Sequence, residues 1–76
     1  MPCMDTAFFL KEVGSNLREA RKKAGLRQVE VETKAGVAYR HYQDIEAGKV
    51  NVSLDTLCRL ASAFDTTVAN LCRGSC

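Results

Sequence analysis

Few side chains in this sequence could carry covalent or metal chemistry. There is one histidine, His41, and there are four cysteines, Cys3, Cys58, Cys72 and Cys76. No two cysteines stand as C-x-x-C, and His41 is distant from all of them, so the roughly four tightly spaced ligands that zinc demands are missing. His41 has no partner that would make it a general base. No paired carboxylates share a helical face in a cleft, and no glycine-rich phosphate loop occurs. The reading is therefore no catalytic residue, no metal, no cofactor and no small-molecule ligand. Cys58 falls in the apolar stripe of a predicted helix, where a thiol behaves as a small hydrophobe. Cys72 and Cys76 sit at the tail with Gly74 and Ser75. Free thiols in a reducing cytosol are the simple expectation for all four, and a redox-responsive tail is the sharper alternative.

Hydrogen bonding and charge remain, and they concentrate in Gly25 to Lys49, GLRQVEVETKAGVAYRHYQDIEAGK. This stretch reads as two short helices joined by a glycine turn. Gln28 opens the first, Gly36 makes the turn, and Tyr42 and Ile45 are the buried positions of the second. Such a layout holds the second helix rigidly and leaves its outer face free to enter a DNA major groove. Charge is consistent with that. The net charge is only +2, yet residues 1–27 hold six of the eleven basic groups (Lys11, Arg18, Arg21, Lys22, Lys23, Arg27) against three acids (Asp5, Glu12, Glu19). A basic cluster is usually a solvated helix face, but beside this motif it also suits phosphate contact.

The positioning elements follow from periodicity. Helix 1 starts at Asp5 or Thr6, buries Phe9, Val13, Leu17, Ala20 and Ala24, and ends at Gly25. Helix 2 runs from about Gln28 to Ala35 with Val31 and Ala35 inward, and Val37 is the buried turn residue. Helix 3 runs from Ala38 or Tyr39 to Ala47 and stops at Gly48. After a loop from Lys49 to Val52, Ser53 caps helix 4, with Leu54, Leu57, Cys58, Ala61 and Phe64 as its stripe. Thr66 or Thr67 caps a short helix 5 with Val68 and Leu71 inward. No segment alternates long enough for a strand. The class is all-α, a compact five-helix bundle, and 76 residues make one domain with a single core and no cavity of enzyme size. The apolar run Ala7 to Leu10 is too short to span a membrane. Asp5 sits early and no basic leader precedes an apolar stretch, so no signal peptide is expected and the location is cytoplasmic.

From Leu17 to Leu71 the chain resembles the Cro and phage-repressor regulators, the XRE family, and so implies a lambda-repressor-like helix-turn-helix domain with its motif at about 28–47. Gln28 matches the glutamine that opens helix 2 and touches a phosphate, and Gly36 matches the turn glycine. Arg21 and Glu46 match a frequent structural ion pair of helix 1 with helix 3. NVSLDTLCRLASAF, Asn51 to Phe64, is similar to the family's helix 4 and its lead-in, and VNVSLDTL is especially like restriction–modification controller proteins. The resemblance implies a bacterial or phage-encoded, nucleoid-associated, sequence-specific transcription regulator. Its partners would be double-stranded DNA and a second copy of itself. The alternative on the same fold is a protein-interaction domain such as an antitoxin.

The resemblance also places Tyr39, Arg40, Gln43 and Asp44 toward the groove, with His41 at the edge. Arg40 suits guanine, because a guanidinium bonds both of its major-groove acceptors, while Gln43 or Asp44 suits adenine or cytosine amino groups. Arg27, Lys49 and Asn51 flank the motif as backbone contacts. Three positions depart from the family: Glu32 replaces a small alanine, Tyr42 replaces Ile or Val, and Ala38 replaces the Ser or Thr cap of helix 3. Glu32 and Tyr42 are expected to be neighbours, hydrogen-bonded to one another or both tilted to solvent. The dimer surface is expected to include Val68, Leu71 and Phe8.

Overall fold

The computed structural model describes residues 6–72. They form α1 (Thr6–Lys23), α2 (Gln28–Ala35), α3 (Tyr39–Glu46), α4 (Leu54–Ala63) and α5 (Val68–Leu71), with no strand among the described residues. Helix α1 packs on α3 and α5, α3 also packs on α2, and α4 packs on α2 and α5. Expected features at Cys3, Asp5 and Cys76 lie outside the described residues.

Local chemistry explains most of the helix ends. Ser53 Oγ accepts from the Thr56 N–H at 3.1 Å, and Thr67 Oγ1 accepts from the Asn70 N–H at 3.1 Å, each satisfying an amide with no intrahelical partner. Gly36, at φ 72°, takes the left-handed conformation that turns α2 into α3, which a side chain would resist. Helix α2 starts differently. The Glu30 carboxylate accepts from the Arg27 backbone N–H at 2.7 Å, which is half of a capping box. The reciprocal half is impossible, because an arginine side chain has no acceptor.

The core is Val13, Leu17, Val31, Val37, Tyr42, Ile45, Leu57, Leu60, Ala61, Phe64 and Leu71. Burying a side chain such as Leu17 or Leu60 contributes about 1.5–3 kcal/mol each. The Tyr42 and Phe64 rings meet edge to face, centroids 6.2 Å apart. Helix α1 approaches α3 at Gly14, where an added Cβ would overlap the Glu46 carbonyl oxygen and come within 2.9 Å of the Ile45 carbonyl oxygen.

Several expected core positions are outside the core. Phe9 is 37% exposed, and Ala24, in the turn after α1, is exposed. Helix α1 has 18 residues against eight in α3, about 27 Å against 12 Å, so its first turns outrun that partner. On α4, Leu54 is 67% exposed and Cys58 is exposed, while Leu60, absent from the expected stripe, is fully buried. The buried stripe of α4 is Leu57, Leu60 and Ala61, continued by Phe64. Leu71 is also inside the core rather than on an open surface, so it is removed from the expected dimer contact.

Candidate nucleic-acid interface

Successive side chains on a helix turn by about 100°. On α3 this sends Tyr42 and Ile45 inward, both buried, and sends Arg40 almost directly opposite them. Gln43 and Asp44 flank Arg40 and are half-buried, Tyr39 lies above Gln43, and His41 borders the buried side. Gln43 Nε2 donates to the Tyr39 hydroxyl at 3.1 Å, so two of the expected reading residues orient one another. Arg27, Arg40, His41, Lys49 and Asn51 are all exposed. Arg27 pairs loosely with Glu30, Nε to Oε1 3.6 Å, in the open, where such a pair is weak and readily exchanged. The Arg27 backbone N–H holds the Glu30 carboxyl below the usual carboxylate range.

Behind this face, one carboxylate ties three helices together. Glu46 Oε2 is 3.0 Å from Arg21 Nε, and Oε1 is 3.4 Å from Arg21 Nη2. Gln28 Nε2 donates to Glu46 Oε1 at 2.8 Å, and the Tyr42 hydroxyl donates to Oε2 at 2.5 Å. Arg21 Nη1 also donates to the Leu26 carbonyl at 2.8 Å, fixing the loop between α1 and α2. The two charged side chains are only 11% and 7% exposed. Burial favours the neutral form of Glu46. The hydrogen bonds from Arg21, Tyr42 and Gln28, with the Arg21 charge, outweigh it and hold the carboxyl below its ordinary range. Burial, and then the adjacent Glu46 carboxylate, push the Tyr42 phenol well up, so it stays a donor. Burial works against the Arg21 charge, but Glu46 outweighs it and raises that group.

Glu32 and Tyr42 do not bond to one another. The alternative, with both turned to solvent, holds for Glu32 and not for the buried Tyr42. Glu32 is exposed, and its Oε1 accepts from the Tyr39 backbone N–H at 3.2 Å. That amide opens α3, whose N-cap residue Ala38 offers no side-chain acceptor. The carboxylate of α2 thus supplies an acceptor to a helix end that lacks a hydroxyl cap, and its charge suits the positive end of the α3 dipole. Tyr42 satisfies its hydroxyl at Glu46 instead. The missed signal was spacing: residues 42 and 46 are i,i+4 neighbours on one helix.

Arg18, Arg21, Gln28, Gln43, Glu46 and Ala47 line a cleft of about 350 Å³ between α1, α2 and α3. Among the described residues, no cluster of His, Cys, Asp or Glu could hold a metal ion, and no helix is long and apolar enough to cross a membrane.

Comparison with known proteins agrees with this geometry. The helix-turn-helix family model HTH_3 matches residues 17–71. The HTH-type transcriptional regulator DdrOP3 of Deinococcus deserti is 40% identical over 58 residues, 76% of this chain and 45% of that protein. This chain therefore spans less than half the length of the Deinococcus regulator. The HTH-type transcriptional regulator y4dJ of Sinorhizobium fredii is 36% identical over 61 residues, 80% of this chain and 79% of that protein. Among solved structures, the restriction–modification controller protein C.AhdI from Aeromonas hydrophila superposes with a TM-score of 0.78 at 34% identity, over 82% of this chain and 94% of its own. A Vibrio cholerae regulator shares the fold, with a TM-score of 0.82 at 22% identity, over 88% of this chain and 38% of its own. With its turn glycine, its pinned inner face and its open outer face on α3, this chain belongs to the XRE-type helix-turn-helix family, HTH_3, of transcriptional regulators, which are DNA-binding domains and not enzymes.

Proposed function

We propose that this chain binds a two-fold operator as a homodimer in the cytoplasm, with α3 in the major groove of each half-site. One observation supports this above the others. The inner face of α3 is held by Tyr42, Ile45 and Glu46, while the Arg40 side chain on the opposite side, and that of His41 at the edge, have no hydrogen bond or ion pair among the described residues. Arg40 reads guanine through a bidentate contact. Gln43, oriented by Tyr39, keeps its carbonyl oxygen and one N–H for adenine, and Asp44 accepts from a cytosine amino group. Arg27, Gln28, Lys49 and Asn51 hold phosphates and set the register.

Dimerisation follows from reach. One recognition helix covers only a few base pairs, so two copies on half-sites about 34 Å apart are needed for a useful site. Val68, half-buried, and Phe8, 45% exposed, remain as dimer-surface candidates.

The test is selection of bound sites from random duplexes, followed by binding curves for variants. Arg40→Ala is expected to lose discrimination between the selected site and random DNA. Lys49→Ala is expected to weaken both by a similar factor. A selected site without two-fold symmetry, or unchanged specificity in Arg40→Ala, would contradict the corresponding part of the proposal.

A further inference from the structure

We infer that Tyr39 and Gln43 read one two-base step as a unit: Gln43 takes an adenine, and the Tyr39 hydroxyl donates to the base beside it, any base but cytosine. This rests on the proposed DNA binding and specifies part of its site. The two residues stand one turn apart on α3, and Gln43 Nε2 donates to the Tyr39 hydroxyl at 3.1 Å. Among the described residues neither side chain has another hydrogen bond. Tyr39 is also held through its backbone, whose N–H donates to Glu32 Oε1 at 3.2 Å. The pair is therefore in place before DNA arrives.

Counting hydrogens assigns the roles. A glutamine amide has one carbonyl oxygen and two N–H groups. A bidentate contact with adenine uses the oxygen, for the N6 amino group, and one N–H, for N7. Tyr39 accepts the N–H that is left over, so reading adenine and bonding to Tyr39 do not compete. The phenol is then constrained in turn. Its oxygen is taken by Gln43, so the group acts as a donor, and its O–H points away from Gln43 toward an acceptor. Distance says where that acceptor lies. The hydroxyl is 3.1 Å from the amide nitrogen, and successive bases on a strand are about 3.4 Å apart. With the amide on one base edge, the hydroxyl reaches the next. Guanine, adenine and thymine each offer a major-groove acceptor there, whereas cytosine offers only its N4 amino donor. Cytosine would set donor against donor and leave the hydroxyl proton unpaired.

The test is selection of bound sites from random duplexes by the full chain, by Tyr39→Phe and by Gln43→Ala, then binding curves on single-base changes. The parent is expected to select an adenine in each half-site and to exclude cytosine beside it. Placing cytosine there should weaken binding about 2- to 10-fold. Gln43→Ala should lose the adenine preference, about 5- to 100-fold. Tyr39→Phe keeps the ring and the backbone contact to Glu32 and removes only the hydroxyl. It should accept cytosine as readily as the other three bases. Its adenine preference should also fall, about 2- to 10-fold, because the amide is released. In the Gln43→Ala background the same substitution should not change the preference at the adenine position. Guanine preference at the Arg40 position should survive in both variants, which separates loss of this step from loss of fold. A Tyr39→Phe protein that still excludes cytosine would overturn the two-base reading. Equal weakening of selected and random duplexes would place the hydroxyl on a phosphate and overturn it too. Guanine in place of adenine would mean a reversed amide with the hydroxyl spent on Gln43, the third way to overturn it. A parent that selects no site would overturn the proposed function and this step together.

Discussion

Two glutamates bracket the recognition helix, and they do opposite things. Glu46 at its C-terminal end is buried and takes hydrogen bonds from three side chains on three helices. Glu32 at its N-terminal end is exposed and takes one backbone N–H from across the turn. The same carboxylate is a rigid lock in one place and a soft cap in the other, because low dielectric strengthens a contact and raises the cost of leaving it half made. Helix α3 is consequently pinned hard where it meets the core and held lightly at Tyr39 and Arg40, the end that would meet bases. A helix fixed at one end can adjust at the other without unpacking.

The sharpest way to break the comparison is at the buried end. Glu46→Ala leaves the buried Arg21 side chain without its counter-charge and orphans the Tyr42 hydroxyl. Removing one partner of a buried pair costs about 3–5 kcal/mol, a large share of what holds a domain this size. The expected fall in melting temperature is at least about 12 °C. A loss under about 1 kcal/mol would mean that Arg21 simply turns to water, as exposed pairs allow.

Acidification tests the same lock. The folded-state pKa of Glu46 is depressed, so its contribution is present above the unfolded value of about 4.3 and is lost as pH falls through the folded value. Stability should therefore decline below about pH 4. Glu46→Gln, already weaker at neutral pH, should show a flatter acid limb. An acid limb identical to that of the parent would assign the decline to other carboxylates.

Tyr42→Phe is the next smaller effect. It keeps the ring against Phe64 and removes only the donor to Glu46. A hydrogen bond to a charged group contributes about 1.5–3 kcal/mol. Chemical denaturation should show a loss in that range with an unchanged m-value. No loss would leave Tyr42 as a space-filler and reduce the lock to Arg21 and Gln28.

How much of this was legible in the sequence divides along the same line. Val31, Val37, Tyr42 and Ile45 are buried as their spacing about Gly36 requires, and the Arg21 and Glu46 partnership followed from the family resemblance. Both rest on local periodicity or on a motif. The structure differs where side-chain placement depends on how helices meet. Tyr42 is expected beside Glu32, bonded to it or with both turned to solvent, because both depart from the family at the α2–α3 contact; Glu32 does turn outward, but which acid the phenol reaches depends on side-chain direction, not on adjacency of elements. Cys58 and Leu54 obey helical spacing but fall outside what α2 and α5 cover. Gly14 is the signal that apolar periodicity alone does not use: a lone glycine inside a helical pattern marks close approach. It allows α1 to touch the α3 backbone at Ile45 and Glu46, which brings Arg21 within reach of the carboxylate.

The smallest expected effect lies at the exposed end and decides whether Glu32 and Ala38 are one change or two. The departure at 38 removes a cap hydroxyl, and the departure at 32 supplies an acceptor to the same helix end, so each is explained by the other. Caps contribute about 1 kcal/mol, and this carboxylate is open to water, so Glu32→Ala should cost about 0.5–1 kcal/mol. Ala38→Ser should return a conventional N-cap whose hydroxyl accepts from an amide in the first turn of α3. In that background Glu32 becomes redundant, and Glu32→Ala should cost less than about 0.3 kcal/mol, within the scatter of ordinary surface substitutions. The double-mutant cycle isolates the coupling, which should be about 0.5 kcal/mol and of compensating sign. Additive effects of the two substitutions would show that Glu32 and Ala38 are independent, and that the 3.2 Å contact to the Tyr39 amide holds nothing that water does not hold equally well.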